Sequence, residues 1–269
     1  MHINELLRAS PSMTPDLMRR YQTDPGSARA DFFVPRLIAA SRSRSTRPQC
    51  ARAASLLGEW DRRYTRDNHR AVLFEASMRP LSRLVWDELG PNGVRDGLPS
   101  EQVLAELTAD SASVWWDDRR TPAVEHRDDI LCEALEQGLA ETIRLHGQPD
   151  DVRWSWDRVR FANIRHLLHL PALSALEIPM QGGPSTLNPS SGNGAFGASW
   201  RMVAELGAEV RAWGTYPGGQ SGNPLSSRYL DRLPSWTAGT LDTLRFPRRP
   251  EDLAGTRVRS WLTLVPPKR

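Results

Sequence analysis

The sequence predicts an α+β fold with a helical first part and a β-rich second part. Up to about residue 150, apolar residues recur at helical spacing and potential helix caps precede them. From about residue 151 the apolar runs shorten, β-branched and aromatic residues appear, and Gly and Pro recur at roughly ten-residue intervals. These patterns predict a helical region over residues 1–150 and a β-rich region over residues 151–269.

The first helices are predicted from their start signals. Residues 1–10 have the polar pattern of a short helix and not that of a signal peptide, which leaves the cellular location open. Thr14-Pro15 combines an N-cap with proline at the first helical position. Ser27 is an N-cap for a second helix that continues to Ala40.

Two longer helices follow. His69–Leu89 has apolar residues at helical spacing, and we expect Pro80 to kink this helix or to divide it in two. The clearest helix is Pro122–His146, for which Gly147 is a stop signal. Its predicted buried side consists of Ile130, Leu131, Ala134, Leu135, Leu139, Ile143 and Leu145.

Short apolar segments between turn residues predict the strands. They are Leu176–Pro179, Thr186–Pro189, Ser199–Leu206, Val210–Tyr216 and Ser260–Val265. Gly and Pro make a loop of Leu89–Ser100, and Ser190–Gly197 is predicted to be a flexible loop that borders a pocket.

Composition restricts the function classes. The chain has 269 residues, 39% hydrophobic residues and a net charge of +3, as expected of a globular protein that is neither strongly basic nor acidic. No apolar run approaches the roughly 20 residues of a membrane span, so no membrane partner is predicted. The basic segment Ser41–Arg52 lacks interleaved aromatic residues, and we interpret it as a solvated loop without a nucleic-acid partner.

The two cysteines carry no recognisable signature. Cys50 and Cys132 are far apart and lack the spacing of a metal site. Cys132 falls on the apolar side of the helix predicted around it. The sequence therefore predicts a buried free thiol at Cys132.

Three patterns suggest chemistry but lack essential parts. His166 and His169 could share a metal on a helix, yet no third ligand has a matching spacing. Ser191, His166 and Asp157 supply the residue types of a triad, but no Gly-x-Ser-x-Gly elbow is present. The Gly-x-Gly-x-x-Gly match over residues 192–197 precedes a strand and not a helix. We predict no metal, no cofactor and no catalytic residue from these patterns.

The segment Tyr216–Pro224 is the most informative local feature. Two predicted strands, Ser199–Leu206 and Val210–Tyr216, are joined by Gly207-Ala208-Glu209 and lead directly into it. Gly and Pro make such a loop rigid or tightly turned, so a structural role is expected.

These strands and the following loop resemble the C-terminal end of the penicillin acylase family, the amide hydrolases with an N-terminal serine nucleophile. The resemblance implies a structural or pocket-rim role for the matching residues, which are Trp200, Arg201, Pro217, Gly218, Gly219, Gln220, Ser221, Gly222, Asn223 and Pro224. Other segments resemble that family in the same order along the chain. Leu57–Asp61, which contains Trp60 and Asp61, resembles its Trp-Asp turn. The remaining similar segments are Ile3–Leu7, Met13–Asp16, Leu73–Glu75, Trp154–Val159 with Asp157 in place of Gly, Gln181–Asn188 with Pro184 in place of an acid, and Tyr229–Trp236.

The resemblance implies an αββα N-terminal-nucleophile hydrolase fold, of which this chain would form the C-terminal portion of the β-subunit. The family's nucleophilic serine and oxyanion Asn would lie upstream of Met1, together with the α-subunit. These upstream acylase segments are the implied partners, and a small acylated amine is the implied substrate of the assembled enzyme. We expect the chain alone to be inactive, with sheets left incomplete. The alternative is a non-catalytic truncated gene product or interaction module.

Overall fold

The computed structural model describes residues 2–44, 46–89, 97–190, 197–255 and 262–265. It is a mixed α+β structure with helices in its first half and short strands later. The α-helices of these ranges are α1 (His2–Arg8), α2 (Pro15–Gln22), α3 (Ala28–Ser43), α4 (Pro48–Gly58), α5 (Ala71–Val85), α6 (Glu101–Leu107), α7 (Arg127–His146), α8 (Trp156–Val159) and α9 (Leu233–Ala238). The strands are β1 (Phe161–Ile164), β2 (Ala175–Pro179), β3 (Arg201–Glu205), β4 (Arg211–Thr215) and β5 (Asp242–Leu244).

The predicted caps form as expected. The Thr14 hydroxyl accepts a hydrogen bond from the Leu17 amide at 3.2 Å, and Ser27 accepts one from the Ala30 amide at 3.2 Å. Each cap satisfies an amide that has no partner within the first turn of its helix. Gly147 ends α7 with φ of +80°, a backbone conformation that favours glycine.

Helices α3, α4, α5 and α7 pack around one apolar core. Its largest fully buried side chains include Trp116, Trp154, Trp156, Tyr64 and Phe74. Pro80 lies inside the continuous helix α5, so a division of this helix in two is wrong. On α7 the predicted buried side is correct except at its end, where Leu145 is 50% exposed because the core ends before the last turn.

The prediction of a free thiol at Cys132 is wrong. Cys50 and Cys132 form a disulfide with a Cα–Cα distance of 5.2 Å, and both are fully buried. Cys50 lies in the first turn of α4 and Cys132 near the start of α7. The bridge therefore joins two helices of the core whose cysteines are 82 residues apart in sequence.

The interpretation of Ser41–Arg52 as a solvated loop is also wrong. The end of α3 and the start of α4 occupy this segment, and two of its arginines, Arg44 and Arg47, bind acidic residues of α7. Arg44 donates to Asp129 at 2.8 Å, and Arg47 binds the carboxylates of Glu133 and Glu136. The basic charge of the segment is used to attach it to α7.

Two small antiparallel sheets form the second half. Strand β1 pairs with β2, with Ala162 opposite Ile178. The other sheet has the order β3-β4-β5, and Val203 lies opposite Trp213 in its β3–β4 ladder. Ala162, Ile178, Met180 and Trp236 form a second apolar cluster. No helix of the described residues is long and apolar enough to cross a membrane.

Three of the five predicted strands are present as β2, β3 and β4. Thr186–Pro189 is a bend and not a strand, because Ser185 has φ of +60° and the Thr186 hydroxyl accepts from the Gly183 amide at 3.0 Å. Residues 262–265 are not a strand, and residues 260 and 261 lie outside the described residues. Residues 90–96 and 191–196 of the two predicted loops also lie outside them.

Candidate functional site

The loop after β4 is fixed by hydrogen bonds to the segment that follows it. The Tyr216 hydroxyl donates to the Gly219 carbonyl at 2.8 Å, and the Ser221 amide donates to the Arg228 carbonyl at 3.1 Å. A Cβ atom on Gly219 would lie 2.7 Å from the carbonyl carbon of Tyr229, so only glycine fits there.

The other candidate residues of this loop are accessible to different extents. Gly218 has φ of +110° and accepts a hydrogen bond from the Arg232 amide at 2.9 Å. Asn223 accepts from the Leu225 amide at 3.0 Å and donates its own amide to the Ser221 hydroxyl at 3.1 Å. The exposed members are Gln220, Gly222 and Asn223, and the partly exposed ones are Pro217, Gly218, Gly219, Ser221 and Pro224. These contacts give the loop one defined shape at the surface.

Arg201 lies at the centre of the second half and is only 3% exposed. Its guanidinium donates to the Asn188 side chain at 2.6 Å and to the Trp236 carbonyl at 2.7 Å, and lies 5.4 Å from the Trp236 ring centroid. Burial lowers the pKa of Arg201, because no acidic group compensates its charge. Arg201 therefore connects β3, α9 and the bend at Asn188.

Replacing Arg201 by Met is expected to lower the free energy of unfolding by about 2 kcal/mol. The substitution leaves the Asn188 and Trp236 oxygens without their donor, and each lost buried partner costs about 1–3 kcal/mol, offset in part by removal of a buried charge. Denaturant unfolding of the variant measures the change. The control is Arg211→Met on β4, because Arg211 is exposed and its ion pair with Glu205 is worth less than about 1 kcal/mol. Equal losses in both variants would contradict a special role for Arg201.

The remaining candidate residues are Trp60, Asp61 and Trp200, and each has different surroundings. Trp60 is buried, donates to the Arg63 carbonyl at 3.0 Å and packs against Phe74. Asp61 is exposed, and its carboxylate accepts from the Arg63 amide at 2.9 Å, which closes the turn after α4. Trp200 is half-exposed on the sheet, and its ring lies 6.3 Å from that of Tyr216.

The segment at Gly182 joins the helical core to the second half. The Gly182 amide donates to the Tyr64 carbonyl at 2.8 Å, and the Trp156 indole donates to the Gly182 carbonyl at 2.7 Å. A Cβ atom on Gly183 would lie 2.8 Å from the Tyr64 ring. The neighbouring glycines therefore let the backbone approach two buried aromatic rings, as expected of a close contact between elements.

A hydrogen-bonded network of charged groups lies at the edge of the core. Tyr64 and Arg29 both donate to the same oxygen of Glu75, each at 2.6 Å, and Arg29 also binds Glu101 at 2.9 Å. Burial and the Glu75 carboxylate raise the pKa of Tyr64, which stays a neutral donor. Burial opposes the charge of Arg29, but Glu75 and Glu101 outweigh it and hold the pKa above its ordinary value.

Beside this network, α5, α7 and α8 enclose an open cleft of about 870 Å³. Arg160 follows α8, is 6% exposed and lines the cleft. Its guanidinium lies 5.2 Å from the Trp156 ring centroid, and its Nη1 atom is buried without a hydrogen-bond partner. Val72, Leu98, Leu145 and Val159 form apolar parts of the wall. No local pattern distinguishes Arg160, although it lies four residues after Trp156 of the Trp-x-Trp segment.

The structure does not bring His166 and Asp157 together as parts of a triad, since each has a different hydrogen-bond partner. His166 lies in a turn outside any helix, where its Nδ1 accepts from the Leu168 amide at 3.2 Å. The Asp157 carboxylate accepts from the Ser155 hydroxyl at 2.6 Å. Ser191 lies outside the described residues. Within those residues, no three His, Cys, Asp or Glu side chains are placed to hold a metal ion.

Comparison with known proteins identifies relatives over nearly the whole chain. The acyl-homoserine lactone acylase QuiP of Pseudomonas aeruginosa is 27% identical over 255 residues, which cover 82% of this chain and 29% of that protein. QuiP of Pseudomonas putida is 28% identical over 218 residues, which cover 73% of this chain and 26% of that protein. The chain thus spans less than a third of the length of these relatives.

A solved structure agrees with this relationship. The thermostable penicillin G acylase from Alcaligenes faecalis matches with a TM-score of 0.62 and 15% identity, over 99% of this chain and 52% of that one. At this identity the match shows a shared fold. The sequence profile of the family described as penicillin amidase matches residues 1–252. Because this match covers most of the 269 residues, the chain belongs to the penicillin amidase family.

Proposed function

We propose that this chain is the C-terminal part of the β-subunit of an amide hydrolase. The observation that carries the proposal is the family match over residues 1–252 in a chain that spans only 29% of its relative from Pseudomonas aeruginosa. Other segments of the assembled enzyme would supply the N-terminal serine nucleophile and the oxyanion groups. The reaction would transfer the acyl group of a linear, non-peptide amide first to that serine and then to water.

Within such an enzyme, the chain would form a helical wall, part of an αββα sandwich and part of the substrate pocket rim. The fixed shape of the loop over residues 217–224 supports a place at the rim, because its hydrogen bonds hold exposed polar groups in one arrangement. The division into a helical region over 1–150 and a β-rich region over 151–269 belongs to the same proposal.

Exposed apolar side chains support contact with further protein segments. Leu167, Leu168, Leu206 and Leu225 are between 71% and 93% exposed, and all lie in the second half. Large apolar side chains with such exposure are typical of surfaces that another segment covers. The missing acylase segments are the proposed partners, and the incomplete sheets would pair with their strands.

The substrate class follows from the chemistry of the family. We propose an acylated amine whose C–N bond is not a peptide bond. The names of the Pseudomonas relatives make N-acyl-homoserine lactones the first substrates to test. A chromogenic acyl-anilide reports the same bond cleavage through release of the coloured amine.

We expect the purified 269-residue chain to release no amine from either substrate above the buffer rate. Mixing or co-expression with the serine-initiated remainder of an acylase from the same genome should restore hydrolysis. The matched control carries Ala in place of that N-terminal serine and should remain inactive. Hydrolysis by the 269-residue chain alone would overturn the proposal, and so would a complete failure to bind or activate the remainder.

A further inference from the structure

We propose that the cleft between α5, α7 and α8 binds a carboxylate group through Arg160, and that this carboxylate belongs to a molecule or segment with an apolar body. Anion binding at this place requires no hydrolytic activity. Binding of a free organic acid is therefore independent of the amidase function, whereas binding of a side-chain carboxylate rests on the proposed function, which supplies the further segment.

The first argument is the charge balance of the cleft. Three acidic residues line it, and each is already engaged by an arginine. Glu75 and Glu101 bind Arg29. The Glu141 carboxylate accepts hydrogen bonds from Nε and Nη2 of Arg144, each at 2.7 Å. The remaining cations of the lining are Arg79, Arg83 and Arg160, which have no ion pair with an acid in the ranges that the structure describes.

The second argument is the state of Arg160 itself. Arg160 is 6% exposed, its guanidinium donates no hydrogen bond to a described residue, and Nη1 is one of the buried atoms without a partner. Burial of a charge without an anion beside it is unfavourable because of desolvation, so such a group favours the binding of an anion. Burial lowers the pKa of Arg160, and the nearby Arg79 and Arg29 add to this effect while Glu75 opposes it.

The third argument concerns the kind of anion. A guanidinium presents two parallel N–H groups that match the two oxygens of a carboxylate or a phosphate. The cleft that Arg160 lines also contains Val72, Val159, Leu145 and the buried Trp156 ring, of which Trp156 lies next to the guanidinium. An apolar wall beside a cation favours an organic acid over inorganic phosphate, because it buries the apolar body while the charge is paired.

The carboxylate can come from a free organic acid or from an Asp or Glu of another segment of the intact protein, by which we mean this chain together with the acylase segments proposed above. Hexanoate is a suitable probe for the free acid, because it combines one carboxylate with a short apolar chain. Hexanamide has nearly the same shape without the charge, and inorganic phosphate has the charge without the apolar chain. Thermal unfolding and Trp fluorescence of the intact protein report binding, since Trp156 lies beside the site.

With a free acid as ligand, hexanoate should raise the melting temperature of the intact protein, whereas hexanamide and phosphate should not. Arg160→Gln should weaken hexanoate binding at least tenfold, while Arg158→Gln should not change it. Arg158 is the matched control because it lies in α8, is exposed and does not line the cleft. Arg79→Gln and Arg83→Gln alter only exposed side chains, and each should weaken binding two- to fivefold.

With a side-chain carboxylate as ligand, hexanoate should have no effect on the intact protein. Arg160→Gln should then lower its melting temperature, whereas Arg158→Gln should leave it unchanged. The proposal is wrong if hexanoate has no effect and Arg160→Gln leaves the melting temperature unchanged or raises it. It is also wrong if hexanoate stabilises the wild type and Arg160→Gln equally.

Discussion

Replacement of both Cys50 and Cys132 by alanine is expected to lower the free energy of unfolding by about 4 kcal/mol. The disulfide closes a loop with a sequence separation of 82 residues, and cross-linking a loop of this length removes about 4–5 kcal/mol of chain entropy from the unfolded state. A loss of this size is a large part of the 5–15 kcal/mol by which domains are typically stable.

Thiol titration and denaturant unfolding together check this expectation. In denaturant without reductant, the wild type should show no free thiols, and after reduction it should show two. Reduced wild type should unfold close to the midpoint of the double alanine variant, and reductant should not change that variant. Two free thiols in the unreduced protein would contradict the disulfide and restore the original expectation of a free Cys132.

The disulfide also shows why part of the fold could not be predicted from the sequence. Cys132 was correctly placed on the buried side of its helix by the apolar spacing. Its partner depends on how α4 packs against α7, which in turn depends on contacts such as that of Arg47 with Glu133. These contacts join residues more than 80 positions apart, and no local pattern encodes them.

Local signals predicted helices better than strands. The caps at Thr14 and Ser27 and the apolar side of α7 depend on neighbours within a few residues, so the sequence contains the needed information. The segment Thr186–Pro189 was predicted to be a strand, but side-chain hydrogen bonds of Thr186 turn its backbone instead. Strand β1 was missed because its four residues show little alternation.

As with the fold, the sequence predicted the candidate site only in part. The resemblance to acylases identified the glycine-rich loop after β4, and the structure gives physical reasons for its glycines. The resemblance did not identify Arg160 or the Arg29–Glu75–Tyr64 network, because their significance comes from burial and from partners on other elements. A single arginine in a sequence with 35 basic residues carries no sign that its charge lacks a partner.

Gly138→Ala is expected to lower the free energy of unfolding by about 2 kcal/mol. Gly138 lies in α7 where it crosses α5, and a Cβ atom there would lie 2.7 Å from Cα and 2.8 Å from the backbone nitrogen of Ser77. The two helices would have to separate, and overpacking of a core costs typically about 1–3 kcal/mol. The gain of about 1 kcal/mol in helix propensity from Gly to Ala offsets only part of this cost. The upper end of the cost applies here, because backbone atoms of Ser77 cannot move aside as a side chain can.

The matched control is Gly58→Ala, the same substitution at the end of α4. Its new Cβ would meet nothing closer than the Ile38 Cδ1 atom at 3.9 Å, so the variant should be as stable as the wild type or more stable by up to about 1 kcal/mol. Ser77→Ala should rescue Gly138→Ala only in part, because it removes the Ser77 hydroxyl, which lies nearest to the new Cβ, but leaves the Ser77 Cα and backbone nitrogen in place. Urea unfolding of the single and double variants distinguishes these cases. If Gly138→Ala were as stable as Gly58→Ala, the helices would not approach each other closely at this point, and the position would tolerate any small residue.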